Sequence, residues 1–135
     1  MSLLGVTKGT DLENTINQLW KGESQGAAMY TALAHIAMER GLDDMAKVLI
    51  SIASDEARHA GLYGVLNGHA NADIFTALSH MAEQENSAAE KINAIAQSAR
   101  DLGLDKVAHE IEIAAIDETR HGKILKQLVE KYSEK

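Results

Sequence analysis

The residues with most chemistry to offer come as a repeated pair. Glu56 and His59 stand in the run DEARH, and Glu118 and His121 stand in DETRH, at the same Glu-x-x-His spacing. Residues three apart share one side of a helix, so a carboxylate and an imidazole at this spacing can reach one ion. A further Glu lies 33 residues before each pair, Glu23 before Glu56 and Glu85 before Glu118. A single Glu-x-x-His is a common surface accident; two copies with matched upstream Glu residues point to divalent-metal chemistry.

These residues recur because the chain does. Residues 23–66 overlay 85–128 at an offset of 62, with 15 of 44 positions identical, including Gly41/Gly103, Leu42/Leu104, Asp43/Asp105, Asp55/Asp117 and Arg58/Arg120. That period suits a duplicated helical hairpin. Helices are predicted near 11–40, 43–66, 72–102 and 105–132. Thr10 with Glu13 reads as a capping box, Gly41 and Gly103 as C-terminal stops, and Asp43, Asn71 and Asp105 as N-caps. The expectation is one domain over residues 1–135, with a first repeat about 11–66, a linker at 67–71 and a second repeat about 72–132.

Alternating steps of four and three give each helix an apolar seam broken at its middle. The first seam runs Leu12, Ile16, Leu19, Glu23, Gly26, Tyr30, Leu33, Ala37, and the second Met45, Leu49, Ile52, Glu56, His59, Tyr63, Leu66. The third runs Ile74, Leu78, Met81, Glu85, Ala88, Ile92, Ile95, Ala99, and the fourth Val107, Ile111, Ala114, Glu118, His121, Leu125, Leu128, Tyr132. Four such helices pack as an all-α bundle whose centre holds four carboxylates and two imidazoles, with no Lys or Arg on any seam. Buried carboxylates without a cation are costly and repel one another. Two divalent ions would cancel them, and this set of two Glu and two Glu-x-x-His is the one helical bundles use for paired iron or manganese.

Composition agrees. With 21 Ala, no Pro and 4% aromatics in 135 residues, the chain favours helices and short connections. The absence of Cys excludes disulfides, thiolate zinc sites and iron–sulfur clusters. A net charge of −7 argues against nucleic acid as a partner. The start, MSLLGVTKGT, is too short and polar for a signal peptide and no apolar run reaches membrane length, so a cytoplasmic protein with no membrane partner is expected.

The stretch GESQGAAMYTALAHIAMERG together with DEARH and DETRH resembles the rubrerythrin-type branch of the ferritin-like di-iron proteins, over roughly residues 10–132. The resemblance implies a ferritin-like four-helix bundle and two iron ions held by Glu23, Glu56, His59, Glu85, Glu118 and His121. Glu56 and Glu118 would bridge the metals, and Glu23 and Glu85 would be terminal. Tyr30 matches a family tyrosine near the cluster, with core packing as its plainer role. The implied activity is reduction of hydrogen peroxide or dioxygen in oxidative-stress defence, with the four Glu and Tyr30 as catalytic residues.

Two departures qualify that implication. The family carries another Glu three residues after the third-helix ligand, where this chain has Ala88. A rubredoxin-type iron site needs four Cys, so electrons are expected from an external donor such as a rubredoxin-like protein. Asp55 and Asp117 are expected to hydrogen-bond the metal-bound His of the opposite repeat, His121 and His59 respectively. Arg58 and Arg120 would pair with these Asp residues, cover the cluster or lie in solvent. Gly26 and Ala88 would leave room for a small oxidant or permit close helix packing. Trp20 would pack in the core, line the site or relay electrons, whereas His35, His69, His80 and His109 are poor ligand candidates. Manganese or zinc could replace iron. Open alternatives are therefore a dimanganese catalase-like enzyme, an iron-buffering or ferroxidase-type protein and a zinc-held structural bundle.

The linker suggests an assembly. In ferritin-like bundles the second and third helices run parallel, so the crossover between them must return about 35 Å. Residues 67–71 span at most about 18 Å. A homodimer that exchanges hairpins is the expectation, with a simple up-down bundle as the alternative.

Overall fold

The computed structural model describes residues 2–133. Among these the protein is all α, with no strand: α1 (Glu13–Glu39), α2 (Asp43–Leu66), α3 (Ile74–Asp101) and α4 (Asp105–Ser133). The chain divides between Ala72 and Asp73 into two compact units, one built on α1 and α2 and the other on α3 and α4.

Each unit is an antiparallel hairpin closed by the predicted glycine. Gly41 and Gly103 take φ of +71° and +75°, conformations that L side chains rarely adopt. Leu42 N–H then donates to Ala37 O at 2.9 Å, and Leu104 N–H to Ala99 O at 2.9 Å, which satisfies carbonyls the helix end would leave bare. The predicted caps shift. Leu42 is the N-cap of α2, with no side-chain bond, and Asp43 opens the first turn, where its charge still suits the helix dipole. Leu104 likewise precedes α4, which begins at Asp105. Asp73 rather than Asn71 caps α3, accepting from Thr76 N–H at 3.1 Å. The Thr10–Glu13 box is displaced, because Glu13 reaches back to Gly9 N–H at 2.6 Å and Thr10 Oγ1 accepts from Leu12 N–H at 3.2 Å.

What joins the helices of a hairpin is not the seam of large residues. All eleven buried hydrophobic residues among those described are alanines. Eight of them recur every seventh position: Ala46, Ala53 and Ala60 on α2, Ala82, Ala89 and Ala96 on α3, and Ala108 and Ala115 on α4, where Gly122 continues the column. Seven-residue spacing keeps a column facing its partner helix, and a methyl group there lets two backbones approach closely. The large seam residues are not buried in either hairpin: some are half-buried and others open, with Leu12 58% exposed, Met45 55%, Ile74 58% and Ile95 56%.

The first hairpin has an additional lock. Residues before α1 turn back over the C-terminus of α2, so that Gly5 N–H donates to Val65 O at 2.9 Å and Thr7 N–H to Leu66 O at 3.0 Å. Buried Thr7 bonds Asn67 side chain to side chain, and Asn67 Nδ2 donates to Glu13 O at 2.8 Å. No described helix is long and apolar enough to cross a membrane.

Candidate metal centre

The antiparallel register brings Glu23 on α1 opposite His59 on α2, with Glu23 Oε2 3.2 Å from His59 Nδ1. Glu56, one turn before His59, completes a group whose donor atoms all lie within 4.8 Å of one another. The second hairpin repeats this with Glu85, Glu118 and His121, again within 4.8 Å. There His121 Nδ1 lies 3.7 Å from Glu85 Oε2 and 3.5 Å from Glu118 Oε2. His59 Nδ1 thus faces Glu23 alone, whereas His121 Nδ1 faces both carboxylates of its hairpin. The two imidazoles remain 42% and 45% exposed, on the open side of their hairpins.

Electrostatics shows what these groups want. Glu56 holds its proton above the ordinary carboxylate value, first because burial disfavours its charge and then because it shares a hydrogen bond with Glu23. Glu85 is raised as well, first by its hydrogen bond to Glu118 and then by burial. In each hairpin, then, one carboxylate is held less acidic than usual by its neighbouring carboxylate and by burial. Among the described residues no Lys or Arg pairs with any of the four; the Arg residues bind elsewhere, Arg58 to Asp55 and Arg120 to Asp117, each at 2.9 Å, and Arg100 to Glu112 at 2.6 Å. Two carboxylates and an imidazole suit a divalent iron, manganese or zinc ion.

The other sequence candidates fall as follows. Asp55 and Asp117 are held by the Arg three residues on, one of the outcomes expected for Arg58 and Arg120. Tyr30 is half-buried, seven residues along α1 from Glu23 and so on the same helix face. The space expected beside Gly26 is taken by the Glu56 carboxylate, against which a Cβ at Gly26 would collide. His35, His80 and His109 lie outside both groups and are exposed. Trp20 stacks on His69, with ring centroids 4.3 Å apart, and packs its indole Nε1 edge against Gly64. Asn86 was not anticipated. It fills the gap over Gly122, where a Cβ would come within 2.6 Å of its Oδ1. Its signal was available, since Gly122 stands where the first repeat has Ala60.

Helical hairpins that each gather two glutamates and a histidine from facing helices define a carboxylate-type metal protein. The Rubrerythrin family model matches residues 17–129, which include both groups. The chain is 35% identical over 129 residues to an uncharacterised protein of Methanocaldococcus jannaschii, an alignment spanning 96% of this chain and 92% of that one. It is 31% identical over 132 residues to reverse rubrerythrin-1 of Clostridium acetobutylicum, spanning 96% of this chain and 73% of the other. No solved structure matches it significantly. The chain belongs to the rubrerythrin family of ferritin-like di-iron proteins.

Proposed function

We propose that the chain is a non-haem di-iron oxidoreductase that reduces hydrogen peroxide, or dioxygen, in the oxidative-stress defence of the cytoplasm. The observation that carries this reading is the convergence, in each hairpin, of two carboxylates and an imidazole with no cationic side chain among them. Glu23, Glu56, His59, Glu85, Glu118 and His121 are the proposed ligands of two iron ions. Bound as ferrous ions, the pair supplies the two electrons that, with two protons, reduce peroxide to water. The four carboxylates would neutralise the ions, and each His would offer the Nδ1 that lies on the carboxylate side of its ring. In the proposed exchange of hairpins, Asp55 and Asp117 would accept from the remaining imidazole N–H of His121 and His59, fixing the tautomer. Tyr30 stands on the ligand face of α1, and electrons return from an external donor such as a rubredoxin-like protein.

The proposed assembly is a homodimer in which hairpins are exchanged. Each hairpin carries half the ligand set and leaves its apolar seam open. The start of the linker is also tied down, because His69 N–H donates to Gly64 O at 2.8 Å and its ring stacks on Trp20. Few residues are then left to span a crossover of about 35 Å.

The test is to load the metal-free chain anaerobically with Fe(II) and add stoichiometric peroxide. Ferric near-ultraviolet absorbance should rise within seconds. No change, in a protein that instead retains zinc through purification, would establish the structural alternative.

A further inference from the structure

The two Glu/Glu/His groups have the same residue types and different seats for one of their carboxylates. In the first hairpin the Glu56 carboxylate lies against the bare backbone of Gly26. A Cβ there would collide with Glu56 Oε2 and lie 3.3 Å from its Cδ and 3.7 Å from its Cγ. No nitrogen–oxygen ion pair within 4.0 Å joins the Glu56 carboxylate to its own His59, although their donor atoms lie within 4.8 Å, and the His59 Nδ1 faces Glu23 at 3.2 Å. In the second hairpin the residue at the Gly26 position is Ala88, which carries a Cβ where Gly26 has none. Glu118 sits forward, 3.5 Å from His121 Nδ1, with Glu85 at 3.7 Å from the same nitrogen. One methyl group thus accompanies two resting positions of equivalent glutamates.

We propose that Gly26 makes the two halves unequal by giving Glu56 a withdrawn seat that Ala88 denies Glu118, so that Glu85, Glu118 and His121 take up a divalent cation before Glu23, Glu56 and His59. A donor set already gathered around one point loses less on binding than one in which a carboxylate must first move. Gly26 is a positioning residue, acting through Glu56. The inference rests on the metal-site reading above and goes beyond it by assigning an order of loading.

The experiment titrates the metal-free full-length chain with Co(II), following heat and visible absorbance together. The wild-type chain should bind in two steps at least tenfold apart in affinity. Ala88→Gly, which can create no clash, gives Glu118 the withdrawn seat and should weaken the tighter step towards the other. Gly26→Ala should push Glu56 forward and tighten the weaker step; circular dichroism confirms that it folds, and Ala88→Gly carries the test if it does not. Adding Glu56→Asp to Gly26→Ala shortens the side chain away from the new methyl and should restore the separation. Two equal steps in the wild-type chain, or a separation unchanged in both single variants, overturns the proposal while leaving the metal site standing. Failure to bind Co(II) at all overturns both.

Discussion

The two hairpins are near copies in everything that sets their backbones and differ in what fills the space between them. They share the positive-φ glycine turn, the alanine columns and the Glu/Glu/His group. Their glycines, however, are traded across the pair of helices. The first hairpin has Gly26 on α1 and Ala60 on α2, and the second has Ala88 on α3 and Gly122 on α4. A carboxylate fills the first gap and the amide of Asn86 fills the second. Helices held together by methyl groups have no slack, so a single missing Cβ decides where a neighbouring polar side chain rests. The aromatic residues near the site are also one-sided: Trp20, Tyr30 and Tyr63 in the first hairpin stand where the second has Ala82, Ile92 and Leu125. Duplication preserved the Glu/Glu/His groups and the scaffold and let the two surroundings diverge.

The most severe way to break this comparison is to remove its shared part. Glu56→Ala and Glu118→Ala should each abolish stable iron binding, measured as iron per chain after anaerobic loading and desalting. Unchanged iron content in either variant would refute the assignment of that residue. Next come the columns. Ala53→Leu and Ala115→Leu force a large side chain into equivalent close-packed positions, and each should cost about 1–3 kcal/mol. That corresponds to a fall of several degrees in Tm, and because the columns are equivalent the two losses should be similar. A loss confined to one variant would show that the hairpins are not packed alike.

A smaller effect is expected from pH, and here both hairpins should act in the same direction. Glu56 and Glu85 are each raised above 4.5 in the folded, metal-free chain. The folded state therefore holds more protons than the unfolded state. The stability this contributes is complete below about 4.5 and is lost as pH rises through the raised values. With a chelator present, thermal stability should decline over that window. With a divalent ion present the sign should reverse, since the ion needs both carboxylates ionised. Glu56→Gln and Glu85→Gln should each flatten part of the chelated profile.

Much of this was legible in the residues themselves. The ligand groups followed from spacing, because Glu-x-x-His fixes one helix face and the offset of 62 fixes the partner. The turns followed from Gly41 and Gly103, for which few other residues would serve. The helix contacts did not follow, because large apolar residues draw attention to the seam while the interface within each hairpin is made by the smallest ones. The information was present, since six of the 15 repeat identities are alanines, among them Ala34/Ala96, Ala46/Ala108 and Ala53/Ala115. Caps were misplaced by a residue or two because Asp is favourable both as an N-cap and within the first turn. The Trp20–His69 stack brings together residues 49 apart and carries no local pattern at all.

The smallest expected effect concerns the two Arg residues that flank the ligands. Arg58 and Arg120 each pair with the Asp three residues earlier at 2.9 Å, in geometry that repeats between hairpins. Both pairs are well exposed, with the Arg side chains 71% and 58% open to solvent. Exposed pairs of this kind contribute roughly 0.2–1 kcal/mol and are screened by salt. Arg58→Ala and Arg120→Ala should therefore lower the urea midpoint only slightly and by similar amounts, with the difference from wild type fading in 1 M salt. A larger loss in one variant that persists at high salt would show that its Arg is held by more than its Asp. The hairpins would then differ in their outer surface as well as beside Gly26.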